Sequence, residues 1–234
     1  EGLLTEFVRN RVVPQGAAPL LTALDRQGGG DRQAAIDALV GSDGITEAAA
    51  PLLARVDGQG GELHAAVAQL IAAQKDLPPS LQPLIRTAAL DEALSAEVRG
   101  QLFDAVASMG DDGLELAVEL FAQVNPPAAA GPPNPVEVAW RRYVGDRQRI
   151  QQLDRFIAAA QSGSAAERTL GYAVLAQAIR SSRTPEEVRE RVTPVIDSAW
   201  TDAEAAPRLV EAISVMRLES QYEEQLNAYT AAGG

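Results

Sequence analysis

At 234 residues, 46% of them hydrophobic but only 4% aromatic, the chain can bury a substantial core of aliphatic side chains and alanine with few large anchors. No run of 18 apolar residues occurs, so no membrane insertion is expected, and the lack of Cys removes disulfides and thiolate metal sites. The net charge of −12 is uneven: residues 1–125 carry 8 basic and 18 acidic side chains, residues 126–234 carry 12 and 14, and a chain with no basic half argues against nucleic acid, which is held by phosphate neutralisation.

Leu3, Leu4, Phe7 and Val8 fit a short helix that Pro14-Gln15-Gly16 ends. From Ala17 a spaced repeat dominates. Pro19-Leu20-Leu21, Pro51-Leu52-Leu53 and Pro83-Leu84-Ile85 lie 32 residues apart from one proline to the next. The first two units also share Asp25/Asp57, Gln27/Gln59 and the pairs Gly28-Gly29/Gly60-Gly61, and then Ile36, Leu39 and Val40 answer Val67, Leu70 and Ile71. A period of this size is the mark of stacked helical hairpins. Each unit reads as two helices with a glycine turn between them, and Asp31 is expected to cap the second helix of the first unit. Pro51 is expected well inside its helix, bending it, and Pro194 repeats that arrangement ten residues past a start at Thr184. The third hairpin follows Pro78-Pro79-Ser80 and returns from Ser95 with Val98, Leu102, Phe103 and Val106 on one face. Asp112-x-x-Glu115 then reads as a capping box for a helix carrying Leu114, Val118 and Phe121.

Five prolines between Asn125 and Pro135 mark an extended connection. The expected organisation is therefore residues 1–125, a linker at 126–135, and a second helical half at 136–234. That half opens on Trp140 and Tyr143. It continues through four capping-box patterns, Ser164-x-x-Glu167, Thr184-x-x-Glu187, Thr201-x-x-Glu204 and Ser220-x-x-Glu223, each ahead of an apolar stripe at helical spacing. No alternating strand pattern appears. The fold class expected is all-α, with about ten to twelve helices.

Hairpins of this length, with Pro and aliphatic residues at recurring positions, resemble HEAT or HEAT-like repeats, best over residues 17–109. The resemblance implies a right-handed α-solenoid of antiparallel hairpins. It also implies an acid after the first helix of a unit, which Asp25 and Asp57 supply, and a base early in the second, where Arg32 and Arg99 fit but His64 departs. Arrays of this kind act as scaffolds and binding surfaces, with the second helices lining the inner face.

Side chains that could carry chemistry are few. His64 is the single histidine; Glu62-Leu63-His64 lacks the spacing that places two ligands on one helical face, so it reads as a packed or solvated residue. The glycines at 28–30 and 58–61 lack the preceding strand of a dinucleotide site and the Lys-Ser/Thr of a phosphate loop, and read as turns. Adjacent carboxylates such as Asp91-Glu92 and Glu186-Glu187 favour helix starts and solvation. No catalytic, cofactor or metal residues are therefore assigned. Trp140, Arg141, Arg142 and Tyr143, with Arg147, Arg149 and Arg155 following, form the one local basic-aromatic cluster and a candidate partner-docking patch, since Arg and Trp are favoured anchors. The competing reading packs Trp140 and Tyr143 at the junction of the two halves and pairs the arginines with Glu137, Asp146 and Asp154.

The leading expectation is a non-enzymatic protein-interaction scaffold, cut from a longer protein because the chain begins at Glu1, with a protein partner and no nucleic acid. The composition, with 19 Arg to one Lys and abundant Ala, Gly and Pro, reads as that of a GC-rich bacterial genome. Two other expectations stand beside it: a structural spacer within a larger extracytoplasmic redox or hydrolytic enzyme, and a HEAT-like nucleic-acid repair enzyme, which the acidity opposes.

Overall fold

The computed structural model describes residues 13–27, 30–39, 44–109, 113–123, 135–146, 148–181 and 183–233. These residues fold into fourteen α-helices and three short 3-10 turns, and no strand occurs among them. The chain divides into two compact units, Glu1–Leu120 with Asn134–Val136, and Phe121–Pro133 with Glu137–Gly234.

The first unit contains α1 (Ala17–Gln27), α2 (Gly30–Leu39), α3 (Ala50–Asp57), α4 (Gly61–Ala72), α5 (Gln82–Leu90), α6 (Ala96–Ser108) and the first two turns of α7 (Leu114–Gln123). The repeat has a structural counterpart. Pro51 and Pro83 each stand second in a helix, directly after a 3-10 turn, at Glu47–Ala49 and Pro79–Leu81. A proline there loses no intrahelical donor and arrives with its φ already set. Pro51 therefore starts α3 rather than bending it. The apolar residues behind each proline point inward: Leu20, Leu21 and Leu24, then Leu52, Leu53 and Val56, then Leu84, Ile85 and Ala88 are all buried.

Beyond this the first hairpin departs from the other two. α4 packs on α1, α3, α5 and α6, whereas α2 packs on α1 and α3. The difference follows from side-chain content. α4 buries Leu63, Ala66, Val67, Ala68, Leu70 and Ile71, while α2 buries only Ala35 and Leu39 and leaves Ile36 half-covered. A helix needs a broad apolar stripe to hold a central place, and α4 has it. Gly16, at φ +83°, lets the chain lie against the last turn of α4, where a Cβ would come within 2.9 Å of Ala73 Cβ and 3.0 Å of Gln69 O.

The second unit contains the end of α7, then α8 (Pro135–Gly145, from Glu137), the single turn α9 (Gln148–Gln151), α10 (Leu153–Ser162), α11 (Ala165–Arg180), α12 (Glu186–Ala199), α13 (Ala205–Met216) and α14 (Glu223–Ala231). Its centre is α11, which packs on α10, α12 and α13 and buries nine consecutive or near-consecutive residues from Thr169 to Ala178. α10 and α11 approach closely because Gly171 faces the backbone of Phe156 and Ala160. Pro194 lies inside α12, as its spacing predicts.

The helix count of fourteen among the described residues exceeds the ten to twelve expected; one of the added helices arises because the segment after Gly145 divides into α9 and α10. Pro135 begins α8 instead of ending a linker. Of the four capping boxes, Ser164/Glu167 forms in full. The helix after Thr201 is capped instead by Asp202, whose carboxylate accepts from Glu204 N at 2.8 Å and Ala205 N at 2.9 Å. α14 begins at Glu223 with no side-chain cap, and Pro185 rather than Thr184 occupies the cap position of α12. Asp31 stands in the first turn of α2 and accepts from Arg55 and Gln59. The helix expected at Leu3–Val8, Val40, the glycines at 28–29, Asp112 of the expected box and the connection at 126–134 lie outside the described residues.

Candidate functional site

The predicted basic-aromatic cluster falls on α8, where helical spacing separates it into two faces. Trp140 and Tyr143 turn into the second unit and are 1% and 2% exposed. The indole N–H donates to Phe121 O at 3.1 Å. Tyr143 stacks on Phe121 with ring centroids 4.4 Å apart and meets Phe156 edge-on at 6.3 Å. An aromatic residue buried with its polar atom engaged, as Trp140 is, holds a core together, and Phe121 and Phe156 converge here with Trp140 and Tyr143. Arg141 is half-buried and donates through Nε to Val215 O at 2.9 Å and through Nη2 to the Glu137 carboxylate. Arg142 is the exposed member. Arg147 lies outside the described residues.

Arg149, two residues beyond, is the side chain that the aromatic cluster closes over. It is 2% exposed, its guanidinium lies 4.2 Å from the centre of the Tyr143 ring, and its Nη1 donates to Gln152 Oε1 at 2.8 Å. In the sequence Arg149 merely follows the basic-aromatic cluster, and nothing in its spacing distinguishes a buried cation from a solvated one. The tight turn at Gly145 and the single-turn helix α9 carry it inward.

A cleft of about 390 Å³, its mouth included, opens beside Arg149. One wall is apolar, with Val144, Ile150, Leu153, Val174 and Ala178; Asp146, Gln177, Ser181 and Thr184 supply the polar groups. Thr184 is 5% exposed and its Oγ1 has no hydrogen-bond partner. Here the missing capping bond has a structural cause. Pro185, at ψ 149°, is still extended, so α12 starts one residue later than the pattern predicts and the threonine hydroxyl is left facing the cleft region instead of the first turn. A buried hydroxyl without a partner costs about 1–3 kcal/mol.

In the first unit His64 is more tightly held than its sequence setting predicts. Nδ1 lies 2.8 Å from Asp57 Oδ1, and Nε2 lies 3.1 Å from Asp91 Oδ2 but out of hydrogen-bonding alignment. Its side chain is 15% exposed. Asp25 and Arg32 pair at 2.9 Å across the preceding turn, so the two seven-residue intervals, Asp25 to Arg32 and Asp57 to His64, make the same connection with different bases. His64 thus fills the place of the base expected from the repeat. The two aspartates lie on opposite sides of the ring, and no group of three His, Cys, Asp or Glu among the described residues is arranged to hold a metal ion.

Electrostatics elsewhere concentrate at helix starts. The backbone N–H of Ser164 holds the Glu167 carboxyl below the usual carboxylate range, helped by the Ser164 hydroxyl and by Arg155. The N–H groups of Ala205 and Glu204 do the same for Asp202. Burial pushes the Tyr222 and Tyr172 phenols up. Tyr222 also donates to Ala176 O at 3.2 Å beneath the Arg180 guanidinium. No helix among the described residues is long and apolar enough to cross a membrane. No family model, curated protein or solved structure matches the chain.

Proposed function

We propose that the chain is a non-enzymatic protein-interaction scaffold, each unit a short run of HEAT-like antiparallel hairpins stacked with a right-handed turn. The observation that carries this reading is the shared setting of Pro51 and Pro83. In both, a 3-10 turn leads into a helix whose second residue is proline and whose next two side chains face the core. A unit that cannot bury its own apolar face must stack on a neighbour, and the packing supports this. α1 meets α4 and α4 meets α6, with α3 and α5 alongside, and in the second unit α11 meets α13 with α10 and α12 alongside. Such stacking leaves long rows of polar side chains facing outward, the material of a binding surface. On α8, Arg142 is the member of the predicted docking patch placed to contribute.

Photo-reactive side chains introduced on the exposed faces of α4 and α6, followed by cross-linking and mass spectrometry, test the proposal. Amine-directed reagents are poorly suited, since Lys75 is the one lysine. Reproducible capture of one protein, lost on substituting residues beside the cross-link, is expected. Capture of nothing, together with turnover of a small molecule by the purified chain, would overturn the assignment.

A further inference from the structure

At the end of α4 the first unit opens a groove of about 560 Å³, within the range of ligand-binding clefts. It exists because of the residues on its floor. Ala72 and Ala73 at the close of α4 and Ala105 on α6 present methyl groups where longer side chains would fill the space. One wall is fixed by Gln74, 8% exposed, whose amide donates to Gln15 O at 2.6 Å and to Leu70 O at 2.9 Å and so holds the incoming chain against the last turn of α4. The carboxamides of Gln15 and Gln101 also line the groove; both residues are exposed, and neither side chain makes a hydrogen bond among the described residues. A carboxamide donates and accepts at once, which matches the N–H and C=O groups of an extended peptide. The two charged groups in the lining, Lys75 and Asp104, offset each other in sign, and each already has an interaction within the chain. Uncommitted charge stands beside the lining instead. Asp76 follows Lys75, and Glu97 stands one turn before Gln101 on α6; both are exposed, with no ion pair among the described residues. They belong to the half of the chain that carries 18 acidic against 8 basic side chains.

We propose that this groove docks an extended, positively charged peptide segment of a protein partner. The segment's backbone pairs with the Gln15 and Gln101 carboxamides, its small side chains rest on the alanine floor, and its basic side chains lie toward Asp76 and Glu97. Exposed ion pairs of this kind set orientation and encounter rate more than they add affinity. The inference rests on the scaffold reading and names the kind of partner for one face of it.

The test uses the full chain and three end-capped pentapeptides, Arg-Ala-Ala-Ala-Arg, Ser-Ala-Ala-Ala-Ser and Glu-Ala-Ala-Ala-Glu. Titrations are followed by the side-chain amide resonances of Gln15 and Gln101 and the methyl resonances of Ala72 and Ala105. Saturable binding of the arginine peptide is expected, with the serine peptide weaker by about threefold to tenfold and the glutamate peptide weaker still. Gln101→Ala removes an exposed carboxamide and should weaken the arginine peptide by about threefold to tenfold. Ala72→Met fills the floor at a half-buried helix end and should abolish saturation. Asp76→Asn with Glu97→Gln should bring the arginine peptide down to the affinity of the serine peptide. Equal binding of the glutamate peptide, binding undiminished by Ala72→Met, or resonance shifts scattered over the unit instead of gathered at the groove would each overturn the proposal. No saturable peptide, while photo-cross-linking still captures one protein at positions away from Gln101, would overturn the groove and leave the scaffold standing. Capture of nothing as well, with turnover of a small molecule, would overturn both.

Discussion

Replacing Gly171 by alanine sets two effects of opposite sign against each other at one position. In the interior of a helix alanine is favoured over glycine by about 1 kcal/mol, so a glycine in the middle of α11 invites the change. The packing opposes it. A Cβ at position 171 would lie 2.6 Å from Ala160 N, 2.8 Å from Phe156 O and 3.0 Å from Ala160 Cα, where ordinary contact begins near 3.4 Å. All three atoms belong to the backbone of α10 and cannot rotate aside, so the two helices would have to separate by several tenths of an ångström along a crossing that is now closely packed. Overpacking of this kind costs about 1–3 kcal/mol, and a clash with backbone belongs at the upper end. The net expectation is a loss of about 2 kcal/mol. Both tryptophans, Trp140 and Trp200, lie in the second unit, so intrinsic fluorescence during urea unfolding reports the unit that contains Gly171. The midpoint should fall with little change of slope. Gly145→Ala is the control in the same unit, since a Cβ there meets nothing within 4 Å; it should be neutral or stabilising. If Gly171→Ala raised the midpoint, the close α10–α11 crossing would be wrong.

Acid should remove stability through two carboxylates in particular. Glu167 and Asp202 are held below their ordinary range in the folded chain. Their contribution is therefore complete above the unfolded-state value of about 4 and is lost as pH falls through the lower folded-state values. Glu167→Gln and Asp202→Asn should each flatten the acid limb of a stability-against-pH curve, and an unchanged limb would contradict the capping geometry. Tyr222 is pushed the other way by burial. Stability linked to it is complete below the ordinary phenol value of about 10 and declines as pH rises beyond it. Difference absorbance should show Tyr172 and Tyr222 ionising after free tyrosine, and Tyr222→Phe should remove one of the two late ionisations. A double-mutant cycle on Asp57→Asn and His64→Ala should give a coupling of about 0.5–1.5 kcal/mol at neutral pH; additive effects would mean that the 2.8 Å contact contributes nothing to stability.

How much could be foreseen varies from element to element, for physical reasons. The periodicities of Leu20, Leu21 and Leu24 and of their counterparts mark helices correctly because burying an apolar stripe is a local requirement of amphipathic sequence. The Ser164 box is legible for a similar reason, since both of its partners lie within one turn. Thr184 misleads despite a stronger pattern, because one extended residue at Pro185 moves the helix start and no local rule specifies that ψ. Trp140-Arg141-Arg142-Tyr143 reads as a surface cluster only while it is treated as a string; on a helix its aromatic and basic members face different ways. Buried Arg149 and the glycine contact at 171 depend on residues from other helices, which spacing along the chain does not encode.

Taken alone, the chain's sequence therefore determined that it would be helical and which apolar side chains would leave water, since these follow from short-range pattern and the free energy of apolar burial. Tertiary structure alone decided that α4 rather than α2 becomes the hub of the first unit, that α11 becomes the hub of the second, and that an arginine and a threonine meet beside one cleft. Those outcomes depend on how competing apolar faces pack in three dimensions, a contest among distant residues that local pattern leaves open.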